Sequence, residues 1–333
     1  SGADIVWDVA EAGAHLVEEH GTPLPASTIE AVKRNKVAIK GPVATPVGTG
    51  FRSVNVALRR ELGLYACLRP VLSIPGAGGR YDGVDIVIVR ENSEDLYAGI
   101  EFEEGSEGAR KLIALCEEEG AGAIRPDSGI SVKPISKAAS ERIVRFAFDY
   151  ARRHGRRKVT AVHKANIMKH TDGLFLRAAR EVAAGRAEDA AFEERIVDAF
   201  CMNMVMDPAQ FDVVVFPNLY GDIASDLAAG LVGGLGIAPG ANIGDEYAVF
   251  EAVHGSAPDI AGQGIANPLA QILSVEMMLR YSFDMQDAAD DVRRAVTAVL
   301  DEGWRTGDIK GSGTPADKVV GTVAMGDLVV ERL

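Results

Sequence analysis

Residues 211–226 read FDVVVFPNLYGDIASD, and the order of events within this stretch decides the fold. Phe211–Phe216 is a short apolar run of strand length and strand composition, closed by Pro217. After Asp226 the run Leu227-Ala-Ala-Gly-Leu-Val232 continues as a helix. Asp222 and Asp226 stand four residues apart, so a helix places both carboxylates on one face. Two carboxylates so placed repel each other unless something positive lies between them. A hard divalent cation, Mg²⁺ or Mn²⁺, suits the position because it prefers oxygen ligands and keeps room for substrate and water. An isolated D-x-x-x-D is more often a turn residue followed by a solvated helix charge. The surroundings of this one favour the metal.

Working outward, Val84–Val89 and Lys158–His163 read as further buried strands, and Lys36–Lys40 and Ile5–Val9 as strands near the N-terminus. Helices are predicted over Pro25–Asn35, Ser53–Leu62, Ser136–His154, Thr171–Ala184 and Ile196–Val205, and two more, Ser274–Phe283 and Asp287–Glu302, close the chain. Val71–Tyr81 reads as a Gly/Pro loop, and Ile237–Pro268 as a segment too long to be a passive connection. Residues 95–135 read as an excursion from the main sheet, an arm for oligomerisation with β-like ends. Strands alternating with helices predict an α/β protein with a largely parallel core.

Composition narrows the function. The chain has 333 residues, enough for one large or two ordinary domains. A net charge of −13 argues against nucleic acid or an anionic membrane as the main partner. No apolar run reaches the roughly 18 residues of a membrane span. Cys67, Cys116 and Cys201 are few and far apart, which fits a reducing compartment and neither a disulfide framework nor a zinc site. The expected location is the cytoplasm, or the mitochondrial matrix in a eukaryote.

Several predicted strands end in a residue of chemical interest: Lys40, Arg90, Lys164, and Asn218 with Asp222. In open α/β sheets ligands bind beyond the carboxyl ends of strands, so these ends point to a common cleft. Arg59, Arg69 and Arg90 concentrate guanidinium groups in an acidic protein, and guanidinium binds carboxylate through paired hydrogen bonds. Beside the Asp pair they indicate a polycarboxylate site. Lys164 and Tyr97 have side chains suited to acid–base work, although their letters alone do not identify a catalytic pair. Gly236–Asn267 is glycine-rich, and Asp259 within it could accept hydrogen bonds from a ribose diol while repelling a 2′-phosphate. Neither G-x-G-x-x-G nor G-x-x-x-x-G-K-[ST] occurs, so any dinucleotide site is not the usual Rossmann one.

The chain resembles the isocitrate/isopropylmalate dehydrogenase family of metal-dependent β-decarboxylating dehydrogenases. The segments that carry the resemblance are KGPVATPVGTG (40–50), FRSVNVALRRELGLYACLRP (51–70), VDIVIVRENSEDLYAGIE (84–101), VTAVHKANIMKHTDG (159–173), NLYGDIASD (218–226), IAPGANIGDE (237–246) and EAVHGSAPDIAGQGIANP (251–268). They run in family order over almost the whole chain. One departure is that family members begin with a strand and a G-D-G-I-G-type turn, and nothing similar precedes the first predicted helix here.

The resemblance implies a two-domain α/β fold distinct from the Rossmann fold. Residues 1–64 and 233–333 would form a large domain with the cofactor loop at 237–268, and residues 65–232 a small domain with the arm at about 95–135. It implies a homodimer whose active sites take residues from both subunits. Asp222 and Asp226, with Asp198 from the partner, would bind Mg²⁺ or Mn²⁺. Arg59, Arg69 and Arg90 would hold the substrate carboxylates. Tyr97 would be an acid in the final protonation, and Lys164, from the partner, would assist removal of the hydroxyl proton. Thr45, Asn166, His254, Gly255, Asp259, Ile260 and Asn267 would contact the cofactor. The pair Asp259-Ile260 is similar to the NAD type, whereas Phe51–Pro70 resembles NADP-type bacterial isocitrate enzymes.

Ser53 and Asn55 decide the substrate within the family. The R-S-x-N pattern is similar to isocitrate dehydrogenases, and these polar groups would be poorly satisfied against an isopropyl group. The expected activity is therefore NAD-dependent oxidative decarboxylation of isocitrate, a tricarboxylate. Homoisocitrate, isopropylmalate and tartrate dehydrogenases are the enzymatic rivals. A non-catalytic regulatory subunit of a hetero-oligomeric isocitrate dehydrogenase is the rival of another class.

Overall fold

The computed structural model describes residues 2–43 and 53–333. Its centre is an eight-stranded sheet in the order β1-β10-β9-β2-β3-β8-β6-β7. The strands are β1 (Val37–Ile39), β2 (Ala66–Leu72), β3 (Asp85–Glu91), β6 (Lys158–His163), β7 (Ala191–Ile196), β8 (Val213–Phe216), β9 (Pro239–Ile243) and β10 (Ala248–Ala252). Two short strands, β4 (Glu101–Phe102) and β5 (Ile130–Ser131), pair separately. The helices are α1 (Val17–His20), α2 (Ala26–Asn35), α3 (Val54–Glu61), α4 (Glu107–Glu118), α5 (Lys137–Arg153), α6 (Thr171–Ala184), α7 (Val197–Met206), α8 (Asn218–Val232), α9 (Leu269–Tyr281), α10 (Gln286–Asp301) and α11 (Thr322–Val330).

The sheet is covered on both faces, and its central strands show it residue by residue. In β3 and β8, Ile86, Ile88, Val214 and Phe216 face one side, against Phe200 and Met204 of α7, Ala224, Ala228 and Leu231 of α8, and Val296 and Val299 of α10. Val87, Val89, Val213 and Val215 face the other, against Ile143, Ala147 and Phe148 of α5 and Phe175 and Ala179 of α6. Strands buried on both faces lose their alternation and read as continuous apolar runs. Each fully buried valine or isoleucine there is worth about 1.5–3 kcal/mol relative to exposure.

The core is less parallel than the sequence predicts. β1–β10, β3–β8, β8–β6 and β6–β7 are parallel, but β10–β9, β9–β2 and β2–β3 are antiparallel. The antiparallel block is the part the sequence hides. β2 begins at Ala66 and runs through Arg69-Pro70 into the expected loop. β9 pairs it only over Ala66–Leu68, so Pro70 occupies an edge-like position where a missing N–H is tolerated. The segment 237–268 is not one long loop, because it contains the β9–β10 hairpin.

Ile5–Val9 is not a strand. It joins no strand among the described residues, and Val6 and Val9 are almost fully exposed. α4 and α11 are helices that the sequence reading lacks, and α11 follows the two helices expected to close the chain. The excursion at 95–135 does leave the main sheet: it carries β4, α4 and β5.

α8 can approach β3 closely because Gly221 faces Arg90 across the contact. A Cβ at Gly221 would stand 2.7 Å from Arg90 Cβ and Cγ and 3.2 Å from Phe216 Cβ. Gly221→Ala, although helix propensity favours alanine, is therefore expected to destabilise the protein by about 1–3 kcal/mol. Urea unfolding is the measurement, and a variant as stable as the parent would refute the close-approach argument.

Candidate active site

The functional side chains gather where β2, β3, β8 and β9 meet α3 and α8. β3 delivers Arg90, almost completely buried at 1 % exposure. Its Nε and Nη2 donate to Asn218 Oδ1 at 3.0 and 2.7 Å, and Nη1 pairs with Asp222. The Tyr97 ring lies over this guanidinium at 4.7 Å, and the Tyr97 hydroxyl donates to the other oxygen of Asp222. β2 delivers Arg69, also buried, whose Nη1 is 3.3 Å from Asp222 and 3.6 Å from Asp226. The two carboxylates predicted to share a helix face thus also share a cation.

Burial pushes the Asp222 carboxyl up, but Arg90, Arg69 and the Tyr97 hydroxyl outweigh it and hold the group below the ordinary value. Asp226, exposed and farther from the cations, is raised: its partial desolvation outweighs the pull of Arg69, and the nearby charge of Asp222 adds to the rise. Burial also raises the Tyr97 phenol, and its hydrogen bond to Asp222 adds to this. Tyr97 is thus a protonated acid at neutral pH.

Beside this cluster is a cavity of about 120 Å³, lined by Asn55 and Arg59 of α3, Cys67 and Arg69 of β2, Asn242 of β9, Glu251 of β10, and His254 and Gly255. α3 buries Val54 and Leu58 and turns Asn55 and Arg59 to the cavity. Arg59 Nε donates to Asn242 Oδ1 at 3.1 Å and lies 3.8 Å from Glu251. Glu251 also pairs with Lys40 and accepts from Asn242 Nδ2 at 2.8 Å. Asn55 Oδ1 is buried with no hydrogen-bond partner among the described residues. A buried orphan in a cavity wall is the mark of a group waiting for a ligand.

The expected residues fall into separate groups. Arg59, Arg69, Arg90, Tyr97, Asp222 and Asp226 come together, with Asn55 at the cavity. Ser53 is the residue before α3. Lys164 follows β6 and pairs with Asp198 in the first turn of α7, a carboxylate 68 % exposed. The Lys164 hydrogen bond lowers the Asp198 carboxyl. Among the described residues no three His, Cys, Asp or Glu side chains converge as a metal site. His254 and Gly255 line the cavity, while Asp259 and Ile260 form an outlying turn with Asp259 exposed. Asn267 is not among the residues that line the cavity; it donates to Asp308 and accepts from Leu269 N at the start of α9. Asn166 is exposed in the turn after Lys164. Thr45 lies outside the described residues.

Sequence reasoning missed Asn242 and Glu251, and it placed Asn218 at the cleft without seeing its bond to Arg90. The available signal was a polar letter inside an otherwise apolar strand, as in ANI (241–243) and AVFEA (248–252). Such a residue is buried only if it is bonded.

All-oxygen donors on Asp222 and Asp226 suit a hard divalent cation. Two carboxylates are too few for a closed protein site, which fits an ion completed by substrate, water or a second chain. At Gly255, in the cavity wall, an added Cβ would meet nothing within 4 Å, so there is open space beside that backbone.

Glu251 provides a test of the electrostatics. Burial raises its carboxyl, but Lys40 and Arg59 overcome this and hold it below the ordinary value. A depressed folded value means stability present above the unfolded value of about 4.3 and lost as pH falls through the folded one. Glu251→Gln is expected to lose about 3 kcal/mol at pH 7, because two cations lose their buried counterion. The gap between variant and parent should begin to narrow as pH falls below the unfolded value of about 4.3 and go on narrowing through the depressed folded value. Denaturant melts across pH 3–7 measure this, and a gap independent of pH would refute it.

Comparison with known proteins adds independent findings. A family model described as isocitrate/isopropylmalate dehydrogenase matches residues 1–329. A Caenorhabditis elegans protein named probable isocitrate dehydrogenase [NAD] subunit alpha, mitochondrial, is 48% identical over 94% of this chain and 81% of its own length. An Archaeoglobus fulgidus protein named isocitrate dehydrogenase [NADP] is 43% identical over 100% of this chain and 85% of its own length. The crystal structure of isocitrate dehydrogenase from Methylococcus capsulatus superposes with a TM-score of 0.88 at 48% identity, covering 99% of this chain and 91% of that one.

Proposed function

The chain belongs to the isocitrate/isopropylmalate dehydrogenase family, and from that premise we propose that it oxidises isocitrate with NAD⁺ and releases CO₂ and 2-oxoglutarate. The observation that carries this reading is the wall formed by Arg59, Arg69 and the Asn55 amide oxygen, which has no partner among the described residues, next to the Arg90–Asp222–Tyr97 cluster. Three guanidinium groups match a substrate with three carboxylates. A polar Asn55 would be left unsatisfied against the alkyl group of isopropylmalate.

Asp222 and Asp226, with Asp198 of the partner subunit, would hold Mg²⁺ or Mn²⁺, and the loop carrying His254, Gly255, Asp259 and Ile260 would hold NAD⁺. When bound, the cation supplies Lewis acidity toward the substrate hydroxyl, and NAD⁺ supplies the hydride acceptor. Arg59, Arg69 and Arg90 orient the carboxylates and exclude alternative poses. Lys164 of the partner subunit assists removal of the hydroxyl proton. Tyr97, kept protonated by burial and by Asp222, donates the proton that replaces the departing carboxylate.

The assembly we propose is a homodimer. Met202, Val205 and Met206 of α7 and Ile223 of α8 are exposed apolar side chains on the helices that carry Asp198 and Asp222. A second copy would cover them and bring Lys164 and Asp198 to the other site. The two-domain division we propose assigns β1, β10 and β9 to residues 1–64 and 233–333, and β2, β3, β8, β6 and β7 to residues 65–232, with the boundary between β9 and β2 of the one sheet. No helix among the described residues is long and apolar enough to cross a membrane, and the cytoplasm or mitochondrial matrix is the proposed location. The regulatory-subunit reading is weaker, because Tyr97, Lys164, Asp198, Asp222 and Asp226 are all present.

NADH formation by the purified chain with isocitrate and Mg²⁺ is the test, with isopropylmalate and a chelator as controls. Turnover of isocitrate alone, abolished by the chelator, is expected; no turnover by a folded dimer would overturn the assignment. Asp222→Asn should lower kcat/KM by at least about a hundredfold at ordinary metal concentration. Asp259→Lys with Ile260→Tyr should shift preference toward NADP⁺, and an unchanged cofactor ratio would remove Asp259 from the cofactor site.

A further inference from the structure

Behind the site lies a second charged cluster that none of the assigned roles uses. Lys133, in the segment after β5, is mostly buried at 14 % side-chain exposure. Its Nζ donates to Asp172 Oδ1 at 2.9 Å, lies 3.7 Å from Asp95 Oδ1, and sits 4.3 Å from the centre of the Tyr220 ring. Asp95 and Asp172 are both completely buried.

Each carboxylate spends its other oxygen on a backbone amide next to a reacting group. Asp95 Oδ2 accepts from Leu219 N at 2.9 Å and so caps the start of α8, which carries Asp222 and Asp226. Asp172 Oδ2 accepts from Lys164 N at 2.7 Å. Asp95 also opens the short turn that bears Tyr97, and does so at φ 69°. A left-handed conformation at a non-glycine residue costs free energy and persists only where surrounding bonds impose it. Here Leu96 N, Leu219 N and Lys133 hold the side chain, and Asp95 N donates to Pro134 O at 3.0 Å.

We propose that Lys133 is a positioning residue: one buried ammonium, shared by Asp95 and Asp172, locks the Tyr97–Asp222 group to the Lys164 backbone. Buried carboxylates without a counterion would separate or take up water, and each would release its amide. The structural part of this stands on the cluster alone. Its catalytic consequence rests on the functional reading above, in which Tyr97 and Asp222 serve the chain's own site while Lys164 reaches the partner's. Lys133 then ties one active site to its neighbour.

The test is Lys133→Met in the full chain, read in two ways. Hydrogen exchange of the ligand-free protein should show the Lys164 and Leu219 amides exchanging at least about tenfold faster together, with β8 unchanged. Faster exchange at neither, or at only one of them, overturns the inference. With isocitrate, kcat should fall about ten- to a hundredfold while KM stays within about twofold. An unchanged kcat, beside an active parent, also overturns it. A parent inactive on isocitrate overturns the functional reading instead, and the exchange pair then decides the inference. Should Lys133→Met fail to fold, Lys133→Arg retains the charge on a longer, forked head that must displace both carboxylates; a shift at one amide alone refutes the shared lock.

Discussion

Arg90 sets the terms for the whole site. A guanidinium cannot be deprotonated to escape burial, so a protein that buries one must surround it with acceptors or negative charge. The structure meets this demand with the Asn218 amide oxygen, the Asp222 carboxylate and the face of Tyr97. Each of these conditions propagates. Asn218 must begin a helix exactly one strand away, which places α8 directly after β8. Asp222 must lie one turn further along, and the intervening Gly221 must lack a side chain to let the helix come close enough. Gathering a cation, an acid and two carboxylates in one place is the outcome of solving a burial problem.

The same logic explains why the site's members differ in electrostatic character. Asp222 receives two guanidinium groups and a phenol and stays ionised; Asp226, a turn away, keeps only Arg69 and is raised. Glu251 is the counterpart on the other side of the cavity, where Lys40, Arg59 and Asn242 hold a nearly buried carboxylate. The cavity between them therefore has fixed, mutually compensated charges in its walls rather than free cations. An anionic ligand enters by taking over hydrogen bonds that these pairs already make, which favours ligands with matching geometry over any anion of equal charge.

Where the sequence was legible, local signals agreed with tertiary environment. Lys158–His163 and Thr171–Ala184 were readable to the residue, since a strand with a β-branched, buried centre and a helix with buried residues at helical spacing have local signals that match their surroundings. β2 was hidden because Arg69 and Pro70 look like breakers, and only the short overlap with β9 makes them acceptable in a strand. β7, with Glu193, Glu194 and Arg195, is an edge strand whose polar side chains face partly into solvent. Ile5–Val9 had strand composition but no strand to pair with among the described residues. In the site, Asp222, Asp226 and the arginines were legible as letters and spacing. The Lys133 cluster was not, because its members lie at positions 95, 133 and 172 and only the fold brings them together.

β2 and β9 share three residue pairs, and the cavity floor, with Cys67 opposite Asn242, lies across them. In the function we propose, a ligand held by Arg59 on one side and by Arg69 and Arg90 on the other would span this joint. Any deflection of the joint on binding would cost free energy, and the observed affinity would be what remains of the contact free energy. Stiffness at three backbone pairs, one of which holds Asn242 between Arg59 and Glu251, would then bear on how tightly such a ligand is held and how readily it leaves.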